Sequence, residues 1–185
     1  MRIIDTEIPD VKVICTDKHV DHRGSFSETY HAQKFAELGV GADFVQDNHS
    51  VSACPGTVRG LHYQTPPFAQ AKLLRVVRGA IFDVAVDLRR SSPTFGRHVC
   101  IRVSAENCNQ VYIPAGFAHG FCTLVPDTEV LYKVTSFYAP EHDAGLVWDD
   151  PDLEIDWPVV RSDAVLSPKD SRLPRFRAVA DCLAF

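Results

Sequence analysis

Long apolar segments are missing from this 185-residue sequence. No stretch approaches the roughly 20 apolar residues that a membrane-spanning helix needs, which excludes an integral membrane protein with helical spans. The first ten residues, MRIIDTEIPD, also lack the basic segment and apolar run of a secretory signal. We therefore expect a cytoplasmic protein that makes no use of a membrane.

Excess positive charge and paired cysteines are missing as well. The formal net charge is -5, whereas a nucleic-acid-binding surface requires a dominant basic field. The six cysteines are scattered without a C-x-x-C pair, which argues against a disulfide framework or a zinc finger and predicts reduced, mostly buried thiols. An anionic ligand would therefore have to be bound by a local cluster of Arg and Lys.

Helical patterns are few, and strand patterns dominate. Only residues 31–38 (HAQKFAEL) have the spacing of a short helix, and there is no repeat, linker or low-complexity tract. Many short segments rich in Val, Ile, Phe and Tyr predict a single all-β domain over residues 1–185, a sandwich or barrel with a loop-rich tail from about residue 150. The predicted strands are residues 11–16, 44–54, 57–63, 71–78, 80–88, 97–103, 110–113, 117–125 and 128–137.

The segment KLLRVVRGAIFDVAVDL predicts a β-hairpin. Arg78-Gly79 can supply its turn, and apolar residues alternate after the turn with Asp83, Ala85 and Asp87. We expect one dry face and one face that carries charge.

The segment TVRGLHYQ (57–64) places Arg59 and His62 in one predicted strand. The two positions have opposite parity, so they share a pocket only if the strand contains a bulge, which Gly60 could provide. Taken alone, a histidine such as His62 is more often structural than catalytic, and an isolated Arg59 is more often a surface cation.

The segment IPAGFAHGF (113–121) has the P-x-G-x-x-H spacing of the second cupin motif. A metal-binding cupin also needs an H-x-H pair followed by glutamate, because a divalent metal requires three or four converging ligands. The corresponding place reads His62-Tyr63-Gln64, with no glutamate in the next residues. We predict no metal, and we interpret His119 as a hydrogen-bonding group in a pocket; a plain core histidine is the alternative.

Nine segments occur in one order over roughly residues 1–172. They are DHRGSF (21–26) with Glu28, QDNHSVS (46–52), VRGLHYQ (58–64), QAKLL (70–74), FDVAVDLRRSSPTFG (82–96), IPAGFAHGF (113–121), YKVTSFYAP (132–140), WDDPDLEIDWP (148–158) and SPKD (167–170). With this set the sequence closely resembles the dTDP-4-dehydrorhamnose 3,5-epimerases. The resemblance implies a cupin-like jelly-roll barrel of antiparallel strands with a few short helices.

The resemblance also implies a reaction in deoxysugar biosynthesis. The family removes protons from the carbons that flank the ketone of a dTDP-linked 4-keto-6-deoxyglucose and returns them to the opposite face, without a cofactor. His62 matches the base, Asp170 its partner, Lys72 the residue at the enolate oxygen and Tyr132 the acid. Without the resemblance, Tyr132 would be interpreted as a core tyrosine and Lys72 as a solvated strand lysine.

A substrate-binding set follows in the same way. Arg23 and Arg59 match phosphate and nucleotide contacts, Glu28 matches a thymine-recognising carboxylate, and the DxRGxF segment of the family reaches across a homodimer. The full substrate-binding prediction is Arg23, Phe26, Glu28, Gln46, Asp47, Asn48, Arg59, His119, Tyr138, Asp143 and Lys169.

Some positions depart from the family pattern, and alternatives stay open. His19, Val58 and Asp143 differ from the common residues, and the loop 52–57 is one residue longer than usual. The polar set expected around the sugar ring matches the double epimerases and predicts inversion at both carbons 3 and 5, with inversion at only one of them as the alternative; this set is Arg59, His62, Lys72, His119, Tyr132 and Asp170. A metal-dependent cupin oxygenase or isomerase and a non-catalytic nucleotide-sugar binding module are the alternatives from other classes.

Overall fold

The computed structural model describes residues 1–185, and it consists mostly of antiparallel strands. The strands are β1 (Arg2–Asp5), β2 (Lys12–Cys15), β3 (His19–Asp21), β4 (Gly24–Phe26), β5 (Gln46–Ser52), β6 (Val58–Gln64), β7 (Lys72–Arg78), β8 (Ala80–Asp87), β9 (His98–Ser104), β10 (Asn109–Ile113), β11 (Phe117–Thr123), β12 (Thr128–Val134) and β13 (Asp143–Gly145). The helices are α1 (Ala32–Glu37), α2 (Phe176–Val179) and the 3-10 turns Pro140–His142, Asp170–Arg172 and Ala180–Cys182. None is long and apolar enough to cross a lipid bilayer.

Two sheets face each other. One has six strands in the order β1-β2-β10-β7-β12-β5, and the other has five in the order β13-β6-β11-β8-β9. Strands β3 and β4 form a separate hairpin. Between the two large sheets, Leu74 and Val111 of the first pack with Ile81, Val103 and Phe121 of the second in one buried apolar cluster. The predicted all-β fold with antiparallel strands and few short helices is confirmed.

The strand pattern of the sequence was informative where strands are buried. Each of the nine predicted strands overlaps an observed one, and α1 lies inside the predicted helix 31–38. Four short strands were missed: β1, β3, β4 and β13. They contain three or four residues each, and most of their side chains are exposed or half-buried, so they lack the apolar alternation by which strands are recognised.

The predicted hairpin between β7 and β8 is wrong. Strand β7 pairs with β10 and β12 in the six-stranded sheet, whereas β8 pairs with β9 and β11 in the other. Gly79 alone separates them, and its φ of +82° lets the chain cross from one sheet to the other. A Cβ on Gly79 would lie 2.5 Å from Oγ1 of Thr128, so the corner also requires glycine sterically.

The two faces of β8 are therefore both buried. Val84, Val86 and Leu88 pack under the C-terminal tail in a second apolar cluster, while Asp83 and Asp87 are fully buried on the side that faces the other sheet. The expected dry face exists, but the face with charge is the inside of the barrel. Buried charges of this kind require specific partners.

The cysteines are all free thiols, as expected, but most are not buried. Cys54, Cys100 and Cys182 are exposed, and only Cys122 is buried. The prediction of mostly buried thiols is wrong because the loop between β5 and β6, strand β9 and the C-terminal tail each place one of them at the surface.

Candidate active site

One pocket of about 260 Å³ opens at the end of the barrel where both sheets contribute polar side chains. Strands β5, β6, β7 and β12 supply the walls, and the loops before β13 and the 3-10 turn at residue 170 form the rim. Its lining residues are Gln46, Asn48, His62, Tyr63, Gln64, Gln70, Lys72, Tyr132, Tyr138, Asp143 and Lys169. Eight of the residues predicted from the sequence thus meet in one place.

A bulge at Gly60 sets the direction of His62. In the pairing of β6 with β11, His62 lies opposite His119 and Arg59 opposite Phe121, so three steps on β6 match two on β11. Gly60 has a φ of +123°, and a Cβ there would lie 2.6 Å from Cα of Gly120. The bulge expected from the parity of Arg59 and His62 is confirmed.

His62 is paired with Asp170. The ring Nε2 lies 2.6 Å from Oδ1 of Asp170, which is buried, whereas the imidazole is partly accessible. Burial acts to raise the pKa of Asp170, but hydrogen bonding and charge from His62, with the N–H of Gly60 and the hydroxyl of Ser167, hold that pKa below its usual value. The carboxylate is therefore a stable negative partner that orients the ring.

Lys72 is buried beside this pair. Its Nζ donates a hydrogen bond to the carbonyl oxygen of His62 at 3.3 Å. Burial lowers the pKa of Lys72 to about 8, although the negative charges of Asp83 and Asp143 act in the opposite direction. Without the family resemblance, Lys72 would be interpreted as a solvated strand lysine, but the structure buries it.

Tyr132 lies on β12, the strand next to β7, and its side chain points inward with Val130 and Val134. Burial raises the pKa of Tyr132, with the positive charge of Arg59 opposing that effect. The phenol therefore keeps its proton at neutral pH. It is both a pocket residue and a neighbour of the apolar core, against which it packs.

His119 has a partner that the sequence analysis missed. Its Nε2 lies 2.7 Å from Oδ1 of Asp83, and both residues are buried. Burial lowers the pKa of His119 against the opposing effect of Asp83. The available signal was an aspartate in the apolar strand IFDVAVD, but the wrong hairpin placed it at the surface.

The rim of the pocket is polar and interconnected. Asp143 accepts a hydrogen bond from the hydroxyl of Tyr138 at 2.9 Å and forms an ion pair with Lys169. Gln46 donates to Asn48 at 2.9 Å and accepts from the backbone N–H of Tyr138 at 3.0 Å. These contacts join strand β5 to the loop that carries Tyr138.

Gln64 is a second residue that the sequence analysis missed. Its amide nitrogen donates to the carbonyl oxygens of Phe68 and Phe137, and its oxygen accepts from the N–H of Ala139. The side chain of Gln64 thereby connects the loop after β6 with the loop before β13. It lies in the quoted segment VRGLHYQ, two residues after His62 and on the same face, so strand parity was the available signal.

Comparison with known proteins places this geometry in a family. A sequence model described as dTDP-4-dehydrorhamnose 3,5-epimerase matches residues 5–178. The chain belongs to the dTDP-4-dehydrorhamnose 3,5-epimerase family. A protein of that name from Pseudomonas aeruginosa is 51% identical over 183 residues, which cover 98% of this chain and 99% of the relative.

Solved structures of epimerases have the same fold. The dTDP-4-dehydrorhamnose 3,5-epimerase of Bacillus anthracis, with TDP and PPi bound, is 49% identical with a TM-score of 0.91 and covers 94% of this chain and 98% of that chain. The dTDP-6-deoxy-D-glucose-3,5-epimerase of Legionella pneumophila, in complex with dTDP-4-keto-L-rhamnose, is 43% identical with a TM-score of 0.93 and covers 98% and 96%.

Four residues predicted to bind substrate lie away from the pocket of this chain. Arg23 and Phe26 are exposed on the β3–β4 hairpin, and Arg23 pairs with Asp21. Glu28 pairs with Lys34, and Asp47 with Lys133. Glu28 and Asp47 both line an adjoining pocket of about 320 Å³, which shares Asn48 and Tyr132 with the first one.

Arg59 lies close to the pocket but is not part of its lining. Its guanidinium donates to the carbonyl oxygen of Val51 and to the hydroxyl of Ser52, at the far end of β5 from Gln46. It lies near enough to Tyr132 to influence its pKa but does not line the pocket.

A metal-binding arrangement is not formed in this structure. No group of three or more His, Cys, Asp or Glu side chains converges as ligands. The two histidines of the site each face an aspartate instead.

Proposed function

We propose that this chain is a dTDP-4-dehydrorhamnose 3,5-epimerase, which inverts carbons 3 and 5 of dTDP-4-dehydro-6-deoxy-D-glucose, and that His62, Asp170, Lys72 and Tyr132 carry the reaction. The observation that supports the assignment most is their convergence: the His62–Asp170 pair, the buried Lys72 and the half-buried phenol of Tyr132 all border one pocket of sugar size. Lys72 and Tyr132 both hold the proton that their roles need at neutral pH.

The first step is removal of a proton by His62. Its imidazole takes the proton from the carbon beside the ketone, the C–H electron pair forms the enolate double bond, and the ketone electrons move to oxygen. The ammonium of Lys72 stabilises that oxygen, and Asp170 stabilises the imidazolium. A buried cation is effective here because the low-dielectric surroundings strengthen its attraction to the developing charge.

The second step is return of a proton from the other side. Tyr132 gives its phenolic proton to the carbon of the enolate, and the oxygen electrons re-form the ketone. The phenolate then regains a proton from solvent while His62 loses its own, so the enzyme is restored. Because the pKa of Tyr132 is raised, its phenol stays protonated at neutral pH and can act as the acid.

The nucleotide is bound by cations at the rim and by a second chain. Lys169 is the pocket cation nearest to solvent, since it lies exposed at the rim. Arg23, Phe26 and Glu28 cannot serve the pocket of their own chain from an exposed hairpin and its following loop. In a symmetric homodimer the hairpin of each chain completes the site of the other.

The activity is tested by proton exchange in deuterated water. The wild-type chain with the keto sugar nucleotide is expected to incorporate two deuterons, at carbons 3 and 5, as seen by proton NMR of the reduced product. One deuteron with inversion at carbon 3 alone would replace the proposal by a single epimerase. Binding of dTDP without exchange would leave only a nucleotide-sugar binding module.

The base and the acid are separated by two variants. His62→Asn should abolish exchange, whereas Tyr132→Phe should retain exchange but lose inverted product, because the enolate can be reprotonated from its original face. The matched controls are His49→Asn, which is on the outer edge strand, and Tyr112→Phe, which is half-buried outside the pocket. Complete loss of exchange in Tyr132→Phe with folding intact would contradict its role.

The homodimer is tested by complementation. His62→Asn and Arg23→Ala chains are each expected to be inactive, but mixing them through a dissociation step should restore about a quarter of wild-type activity. Half of the dimers are then mixed, and each mixed dimer contains one intact site of two. No recovery, with mixed dimers shown by mass spectrometry, would place Arg23 in its own chain's site.

A further inference from the structure

Asp83 is a fully buried carboxylate with a single hydrogen bond. Its Oδ1 lies 2.7 Å from Nε2 of His119, and its Oδ2 is buried without a hydrogen-bond partner. An unpartnered buried oxygen opposes folding, and such groups are uncommon enough in native proteins to require an explanation. A role in the stability of the fold does not explain this one.

Asp87 shows what a structural carboxylate looks like in the same strand. It is also fully buried and lies on the same face of β8, four residues further on. Its oxygens accept hydrogen bonds from Arg89, Ser92 and Thr94 at 2.6 to 2.9 Å, and these bonds organise the loop after the strand. Asp83 organises no loop: its one hydrogen bond is to His119, and its negative charge also acts to raise the pKa of the neighbouring Lys72.

His119 presents one nitrogen to Asp83 and leaves the other free. The residue lies directly opposite His62 in the pairing of β11 with β6, so its ring is beside the catalytic pair. Its Nδ1 makes no hydrogen bond within the chain. That atom is not one of the fully buried polar atoms without a partner. His119 is buried next to the lining of the pocket and is not part of that lining, and Nδ1 is the ring atom that is free to accept a hydrogen bond.

We propose that Asp83 is a positioning residue, which holds His119 in the tautomer with its proton on Nε2, so that Nδ1 accepts a hydrogen bond from a ring hydroxyl of the bound sugar. A carboxylate has no proton to give, so the nitrogen that faces it carries the proton and the other has a free lone pair. This inference rests on the proposed function for the identity of the ligand.

The surroundings of His119 support a neutral ring. Burial lowers its pKa, and the charges of Lys72 and His62 act in the same direction, while Asp83 alone opposes them. A neutral ring with Nδ1 free can only accept a hydrogen bond. The ketone oxygen of the substrate cannot supply one, whereas a hydroxyl can.

The consequence is an orienting pair in the pocket. Lys72 donates and so selects the ketone oxygen, while His119 accepts and so selects a hydroxyl. A sugar bound the wrong way round would place a ketone against the lone pair of Nδ1, which is repulsive. Asp83 would thereby determine how the sugar lies between His62 and Tyr132.

The tautomer is measured directly by nitrogen-15 NMR of the imidazoles in the wild-type chain, with the His119 signals assigned by their loss in His119→Gln. A proton on Nε2 is expected. A proton on Nδ1, or an imidazolium at neutral pH, would overturn the proposal. This measurement needs no turnover, so it is independent of whether the proposed reaction occurs.

The functional part is tested with Asp83→Asn. The amide can turn its NH₂ toward Nε2 and favour the other tautomer, so signals of an Nδ1 proton should appear, and kcat/KM for the keto sugar nucleotide should fall about tenfold to a hundredfold. Affinity for dTDP alone, which has no hexose, should be unchanged.

Asp87→Asn is the matched control, because it removes an equally buried carboxylate from the same strand. It should lower stability and leave the tautomer of His119 and the kcat/KM of the folded fraction unchanged. If Asp83→Asn weakens dTDP binding as much as sugar turnover, or if both variants lose activity only in proportion to unfolding, Asp83 is structural and the proposal is wrong. Should Asp83→Asn not fold, the wild-type tautomer still decides.

Discussion

The burial of the Lys72 ammonium should lower the stability of the folded chain, and the size of that effect can be derived from the pKa of Lys72. The decrease from the ordinary value of 10.5 to about 8 corresponds to about 3 kcal/mol in the free energy of unfolding, since one pKa unit is worth about 1.4 kcal/mol. The folded state therefore opposes protonation of Lys72 by this amount. Replacing the lysine by an apolar side chain of similar length removes the penalty.

Lys72→Met is accordingly expected to raise stability while it abolishes epimerisation. The lost hydrogen bond to the carbonyl oxygen of His62 offsets about 1 kcal/mol, which leaves a net gain of about 2 kcal/mol at pH 7. For a chain of this length, that corresponds to an increase of about 5 °C in Tm. Urea unfolding at pH 7, followed by circular dichroism, measures the free energy directly.

The dependence on pH identifies the cause. Below about pH 8 both the folded and the unfolded state hold the proton of Lys72, so the wild type bears the full penalty. As pH rises from about 8 to 10.5, the folded lysine is neutral first and the penalty of about 3 kcal/mol disappears, so the variant should lose its advantage and the wild type should become more stable by up to about 1 kcal/mol, the value of its hydrogen bond. Groups that do not interact with Lys72 titrate equally in both proteins and cancel.

Lys133→Met is the control, because Lys133 forms an ion pair with the well-exposed Asp47. Its effect should stay within about 0.5 kcal/mol at both pH values. If Lys72→Met is less stable than the wild type at pH 7, or if its gain does not change with pH, the reasoning about a buried, penalised ammonium is refuted.

Two further predictions concern the same pocket. The kcat of the wild type should fall as pH rises through about 8, because deprotonated Lys72 cannot stabilise the enolate, while the raised pKa of Tyr132 keeps the acid out of this range; a pH profile that stays flat to pH 9.5 would contradict it. Gly60→Ala should destabilise the chain by about 2 kcal/mol or more and abolish the activity of the folded fraction, since its Cβ would lie 2.6 Å from Cα of Gly120 at a φ of +123°. Thermal unfolding compares this variant with Gly41→Ala, whose Cβ would have no contact within 4 Å, and equal Tm values would refute the prediction.

The sequence predicted the strands well and their pairing poorly. Apolar alternation reports that a segment is extended and half-buried, but it does not report which sheet the segment joins. Arg78-Gly79 looks like the turn of a hairpin in either case, because a positive φ serves both a tight turn and a crossing between sheets. Choosing between them requires the partners of β7 and β8, and the paired residues on β12 and β11 lie 30 to 62 positions further along the chain.

The candidate site divides in the same way. His62, Lys72, Tyr132 and Asp170 were predicted as a set through family motifs, and the structure places them around one pocket. Asp83 could not be predicted because its partner His119 lies on a neighbouring strand whose pairing was unknown. The proposal that the β3–β4 hairpin serves the site of a second chain comes from the family resemblance, because one sequence contains no signal for the geometry between two chains.

The arrangement along single strands explains how this fold tolerates so many buried polar groups. On β7, the inward positions begin with Lys72 and continue with Leu74 and Val76, which belong to the apolar core. On β11, His119 lies between Phe117 and Phe121 of that same core. Each polar group is therefore fixed by apolar neighbours two residues away on its own strand, and its position is set by core packing, with little dependence on mobile loops. The packing of the apolar end of the barrel thus offsets the penalty for burying Lys72 and fixes the ammonium of Lys72, the imidazole of His119 and the phenol of Tyr132 at their positions.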